Sequence, residues 1–269
     1  TVRKLKEKGI EIYFEKEKYE SIINLLEFSS KEMELSWKLL LDLGKAQFFK
    51  RDYDNSAENL RKSISSNPNN PEAYYYAGKN FSIRKKFLES ISYLEKSVLM
   101  RPDNSDAQFE LAKAYRNTKR YNDAVHKLQQ LLNNSEIRDE VRKELGFIYM
   151  EMKMNEKAYE CFAQYHEKGF SDNDVIYAMS TILREKDPVR SLALLKELDI
   201  DPVNNREKFY EICDLLIRNE EYDEAESKLK MLLEDDIDDY RANLMLGNLY
   251  MRQELNADAI ICFEKTVSV

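Results

Sequence analysis

Cys161, Cys213 and Cys262, with His126 and His166, are the side chains of this sequence best suited to nucleophilic, redox or metal chemistry. Their spacing argues against all three. The cysteines are odd in number and no two stand as Cys-x-x-Cys, so neither a disulfide framework nor a zinc site is indicated. They are expected as small buried apolar residues in a reducing compartment, and the two histidines on outward helix faces. The carboxylate-rich run Glu234–Asp239 lacks the Gly and closing Glu of a calcium loop and is expected as an exposed turn between helices. No phosphate-binding loop, Gly-x-Gly-x-x-Gly, His-Glu-x-x-His or Gly-x-Ser-x-Gly segment occurs. Nothing brings a nucleophile, a base and an orienting group together. The expectation is a protein that is not an enzyme, with no catalytic residue, no cofactor and no metal.

The elements that would carry any other function must then be read from composition and periodicity. Hydrophobic residues make up 43% of the 269, too many for a disordered chain, and only six Gly and five Pro interrupt them. That balance points to long helices joined by short turns. The net charge of −8 is unevenly spread: residues 1–138 hold 25 Lys/Arg and 20 Asp/Glu, whereas residues 139–269 hold 17 and 30. The acidic total and the lack of a broad basic surface argue against nucleic acid as a partner. No apolar stretch approaches the ~20 residues of a membrane span, and the charged first residues are unlike a signal peptide. A cytoplasmic location is expected, although a chain starting at Thr1 is also what a trimmed or processed product would show.

Glycine reveals a repeat. Gly44, Gly78, Gly146 and Gly247 fit one position of a 34-residue frame, as do the pairs Leu43-Gly44, Ala77-Gly78, Leu111-Ala112, Leu145-Gly146 and Leu246-Gly247. Pro68 and Pro102 are also 34 apart. An aromatic follows each small residue by about nine positions, at Tyr53, Phe87, Tyr121 and Tyr222, and leads into a Ser or Ala. Four residues beyond that Ser or Ala stands a large apolar side chain: Leu60, Leu94, Leu128, Phe162, Leu195, Leu229 and Phe263. Each block therefore reads as a helical hairpin, with helix A carrying the Gly and helix B the large apolar residue. Small residues are required where two helices approach closely, since a larger side chain would force them apart.

This pattern resembles the tetratricopeptide-repeat (TPR) family. Repeats begin at 37, 71, 105, 139, 172, 206 and 240, with a degenerate N-terminal hairpin in 1–36 built on Gly9, Tyr19 and Ser21. The resemblance implies an all-α fold, a right-handed superhelical solenoid of antiparallel helical hairpins. It divides into the hairpin 1–36, repeats in 37–171 that are net basic together with it, and an acidic set in 172–269. In the 172–205 block, Met179 stands where Gly is expected and Pro188 where the aromatic is expected. A bend or looser packing is expected there.

The resemblance also implies a site. In this family the second, fifth, ninth, twelfth and thirteenth positions of helix A face a concave groove. Carried onto this sequence, the ninth positions are Lys45, Lys79 and Lys113, flanked by Phe48, Phe49, Tyr75, Ile83, Phe109 and Arg116. Such a row suits an extended protein or peptide segment carrying Asp/Glu and an apolar anchor; an ordinary solvated face is the competing reading. Phe147 occupies the corresponding surface further along, with Arg184, Arg218 and Arg252 recurring at the thirteenth position, where a partner could lie as an amphipathic helix. The Lys/Asn/Lys/Arg arrangement with which some TPR proteins grip a C-terminal carboxylate is missing.

Two functions follow from the resemblance. One is a non-catalytic scaffold or adaptor. The other is the solenoid arm of a larger enzyme, such as an envelope-polysaccharide or glycosyltransferase protein. The last helix B is followed by no polar capping helix, so a fragment or self-association through that end is expected.

Overall fold

The computed structural model describes residues 10–267 except 12, 33, 134–136, 171, 199–200 and 202–203. Gly9, assigned above to the N-terminal hairpin, lies outside them. Among the described residues the chain is helix and turn with no strand. It forms two compact units, Thr1–Lys153 and Met154–Val269.

Unit 1 contains α1 (Tyr19–Glu32), α2 (Trp37–Phe49), α3 (Tyr53–Ser66), α4 (Pro71–Ile83), α5 (Phe87–Met100), α6 (Ser105–Asn117), α7 (Tyr121–Leu131) and α8 (Arg138–Glu151). Each helix packs on the next along the chain. The small residues of helix A sit where the sequence pattern requires contact. A Cβ added to Gly44 would lie 2.8 Å from Leu60 Cγ, and one added to Gly78 would lie 2.5 Å from Leu94 Cγ. Both leucines are fully buried. Serine hydroxyls clamp the same hairpins: Ser56 donates to the Gly44 carbonyl at 2.8 Å and Ser90 to the Gly78 carbonyl at 2.9 Å. One helical turn or two further along, Ser63 donates to Trp37 O and Ser97 to Pro71 O.

The A–B turns repeat as faithfully. Arg51, Lys85, Lys119 and Lys153 each have positive φ, and Glu17 precedes them by one 34-residue step. After each of the first three, an amide reaches back five residues, as from Asp52 to Gln47 O and from Lys86 to Phe81 O, both at 2.9 Å. Lys18 does the same to Tyr13 O at 2.8 Å. This is a left-handed helix C-terminus with a charged residue where Gly is usual. The first hairpin thus keeps the repeat's turn, with buried Ile10 and Leu26 in the places of Gly44 and Leu60.

Unit 2 contains α9 (Asn155–His166), α10 (Asn173–Leu183), α11 (Pro188–Lys196), α12 (Arg206–Arg218), α13 (Tyr222–Asp235), α14 (Tyr240–Arg252) and α15 (Asn256–Val267). A Cβ on Gly247 would meet the Phe263 ring at 2.4 Å, so the close approach recurs here. In the divergent hairpin α10–α11, Met179 fills the Gly position and is buried. The helices are joined instead by Ser191, which donates to Ser180 O at 2.9 Å. Pro188 does not break this hairpin. It occupies the first turn of α11, where its missing N–H costs nothing, and Asp187 caps that helix through the Arg190 amide.

Of the run expected as an exposed turn, Glu234 and Asp235 are instead the exposed end of α13, residues 236–238 form the exposed turn, and Asp239 is buried. Its carboxylate caps α14 at the Ala242 amide, 2.9 Å away, and accepts from Arg206 Nη1 and the Tyr210 hydroxyl, each at 2.5 Å. Cys213 and Cys262 are buried and Cys161 is half-buried, all as free thiols. Burial pushes the Cys213 thiol up to about 12, which leaves it unreactive at neutral pH. His126 is exposed and His166 half-buried, its Nε2 3.5 Å from Glu197. Among the described residues no group of three or more His, Cys, Asp or Glu side chains could hold a metal, and no helix is long and apolar enough to cross a membrane.

Candidate functional site

Helices α2, α4 and α6 carry the three lysines at one helical position, and their surroundings differ. Lys45 is largely buried, with Nζ 2.6 Å from Glu72 Oε1 and 4.9 and 5.3 Å from the Phe14 and Tyr76 rings. Burial works against its charge, but the Glu72 hydrogen bond and field outweigh it and raise its pKa. Lys113 lies 3.5 Å from Glu110 and over Phe109 at 5.6 Å. Lys79 is half-buried between two rings, 5.7 Å from Phe48 and 5.3 Å from Tyr75. Among the described residues no carboxylate lies within ion-pair distance of it.

The aromatics form one continuous cluster around these cations. Phe48 is buried and meets Phe49, Tyr53 and Tyr76 edge-on, at 5.6, 5.9 and 5.8 Å. It therefore serves as wall and core. Phe49 stacks on Tyr19 at 4.8 Å yet remains 42% exposed, and Ile83, one repeat later, is 48% exposed. Both therefore leave apolar surface open to solvent on this face. The Tyr75 phenol is held neutral by burial first and then by Asp106 and Glu110.

Arg116 is already engaged: Nε and Nη2 reach Glu151 at 2.8 and 2.6 Å, Nη1 reaches Glu144 at 3.0 Å, and the guanidinium lies 5.3 Å over Phe147. Tyr76, Glu72, Glu110, Glu144 and Glu151 were not singled out from the sequence. The acidic residue at the second position of α4, Glu72, was the available signal, being aimed one repeat back at Lys45. In unit 2, Arg184 pairs with Glu211 at 2.6 Å, which also accepts from Tyr177, and Arg218 pairs with Asp214 and Glu185 at 2.9 and 3.3 Å. Arg252 is exposed.

Two sequence models described as "Tetratricopeptide repeat" match residues 38–70, 84–136 and 210–267, more than half of the chain. The chain belongs to the tetratricopeptide-repeat family. Solved TPR-type structures agree. The structure titled "Functional Characterization of Pseudomonas Aeruginosa pilF" superposes with a TM-score of 0.62 at 17% identity, over 77% of this chain and 94% of that one. MamA (41-end) from Desulfovibrio magneticus RS-1 gives 0.57 at 19% identity, over 63% and 96%. A tetratricopeptide repeat protein from Parabacteroides merdae ATCC 43184 gives 0.58 at 15%, over 86% and 92%. At these identities the likeness is one of fold. No curated protein matches the chain in sequence. A TPR fold is consistent with a protein-interaction scaffold.

One titratable group of this TPR face reports on its electrostatics. Asp42, on α2, has its carboxyl pushed up to about 6 by burial, with Glu72 adding to the shift and Lys45 opposing it. A folded-state pKa above the unfolded value of ~3.9 means that the folded chain binds the proton more tightly. Stability is therefore lost as pH rises from about 4 to about 6, and the whole cost is present above that. Asp42→Asn is expected to raise unit 1 stability by about 1 kcal/mol at pH 7.5, after discounting for partial exposure, and by nothing at pH 4. Urea midpoints at the two pH values test this. An equal gain at both would mean that the shift is absent.

Proposed function

We propose that this chain is a non-catalytic adaptor whose helix-A face in unit 1 binds an extended acidic segment of a partner protein, with an apolar anchor beside the acid. Lys79 carries the reading. Its ammonium is half-buried between Phe48 and Tyr75 with no carboxylate in ion-pair distance among the described residues, while Lys45 has Glu72 and Lys113 has Glu110. A partly desolvated cation flanked by rings gains from a carboxylate supplied in trans. Phe49 and Ile83 lie exposed on the same helices and would take the apolar side chain.

Lys79→Glu is the clean variant, because Lys45→Glu would also break an internal ion pair. Extended peptides bearing two Asp or Glu residues next to a Leu or Phe are offered to both proteins, with circular dichroism as a check on folding. The wild type is expected to bind them at least tenfold more tightly than Lys79→Glu, given the ~1.5–3 kcal/mol of a hydrogen bond to a charged group. Binding should also weaken on going from 50 to 500 mM salt. Equal binding by the two proteins would rule out this face as the site.

A further inference from the structure

A cleft of about 690 Å3 lies on another side of unit 1, between the B helices α1 and α3. Its origin is a local departure from the repeat. One repeat along, the gap between α3 and α5 is filled by three rings: Tyr74 and Phe81 from α4 and Tyr93 from α5, with Tyr93 6.0 Å from Tyr74 and stacked on Phe81 at 5.1 Å. Stepping back 34 residues replaces them by Leu40, Gln47 and Asn59, all three of which line the cleft. Two amides and an aliphatic chain cannot fill the volume of three rings. The amides hold each other, with Asn59 Nδ2 donating to Gln47 Oε1 at 2.9 Å, while Leu35 and Leu43 supply apolar wall.

The repeats also show what such a gap accepts. In the third repeat the residue equivalent to Gln47 is Tyr115, whose hydroxyl donates at 2.7 Å to Glu95 on the preceding B helix. Tyr250 of unit 2 likewise donates at 2.8 Å to Glu226 on its preceding B helix. The residue equivalent to Glu95 at the cleft is Glu27, which lines it and whose carboxylate meets only the Gln47 amide, at 3.4 Å, among the described residues. An acceptor is thus in place and its phenol is missing.

We infer that the α1–α3 cleft is a second binding site, taking a tyrosine side chain of a partner protein whose ring lies on Leu40 and Asn59, over the buried Gln47, and whose hydroxyl donates to Glu27. The site is separate from the lysine face, and its test does not depend on that reading. The chemistry is that of the Tyr115–Glu95 contact, supplied in trans. The exposed carboxylates of Glu27, Glu34 and Glu58 outnumber the Arg61 and Lys62 cations in the lining, and Lys62 is held by Glu58 at 2.6 Å, so a neutral donor is favoured over an anionic ligand.

The probes are N-acetyl-tyrosinamide and N-acetyl-phenylalaninamide, titrated into the whole chain while the side-chain amide resonances of Asn55 and Asn59 are followed by NMR. The tyrosine probe should shift them saturably, and the phenylalanine probe should bind about fivefold more weakly for want of the hydroxyl. Glu27→Ala, at an exposed position, should bring the two probes to equal affinity without disturbing the fold. Gln47→Tyr should fill the cleft from within, abolish the response to both probes and raise the urea midpoint. The proposal is overturned by the absence of a saturable shift with the tyrosine probe. Equal wild-type affinity for the two probes, or an undiminished response in Gln47→Tyr, overturns it as well.

Discussion

Gly78→Val is expected to lower the stability of unit 1 by about 3 kcal/mol, the cost of overpacking a closely approached helix pair with a branched side chain. The reason is geometric. A Cβ at position 78 would stand 2.5 Å from Leu94 Cγ, 2.8 Å from Leu94 Cδ2 and 3.3 Å from the Leu94 amide nitrogen. Leu94 is fully buried and cannot swing away, and the amide belongs to the backbone of α5. Relief therefore requires α4 and α5 to separate, which also strains the Ser90 bond to Gly78 O. Because each hairpin of a TPR array contacts mainly its neighbours, the loss should concentrate in α4 and α5. Hydrogen exchange should report lost protection there first, together with a lower urea midpoint. Leu94→Ala alone should cost about 3 kcal/mol through the cavity it leaves. The double variant should cost clearly less than the sum, since the valine occupies part of that void. Strict additivity would show that the two side chains do not compete for one space.

The second large effect belongs to unit 2. Asp239→Ala is expected to cost about 3 kcal/mol, combining a lost helix N-cap of ~1 kcal/mol with a buried Tyr210 hydroxyl left without its acceptor, at ~1–3 kcal/mol. The carboxylate is 5% exposed and serves three donors: the Ala242 amide, Arg206 and Tyr210. Its neighbours Asp236 and Asp238 are exposed, and alanine there should change stability by less than ~0.5 kcal/mol. Asp239→Asn separates the contributions, because an amide oxygen can still cap α14 while the ion pair to Arg206 is lost. Thermal unfolding of the four single variants decides the matter. Similar midpoints for Asp236→Ala and Asp239→Ala would mean that the run behaves as one solvated turn.

The helical hairpins were legible in the sequence because their cause is local and repeated. Gly44 and Gly78 recur at the spacing of Leu60 and Leu94 since each pair must touch, and a 34-residue period makes that requirement visible four times over. The turns were legible as positions but not as conformations. Arg51, Lys85 and Lys119 adopt positive φ although none is Gly or Asn, because the amide bonds closing each helix end hold them there. The lysine row could be placed on one helix face from the repeat frame, yet three identical residues at one position looked equivalent. Only the tertiary structure separated them, since Glu72 and Glu110 come within reach of Lys45 and Lys113, whereas among the described residues no carboxylate lies within ion-pair distance of Lys79. Asp239 gave no sign of burial within a run of exposed acids, because its partners Arg206 and Tyr210 stand about 30 residues away in sequence. The cleft beside Gln47 was hidden for the same reason: an amide in place of a ring is unremarkable until the helices that should have packed on the ring are seen. Periodicity records what every repeat must do to fold. The charge left unpaired and the space left unfilled depend on neighbours that only the folded chain brings together.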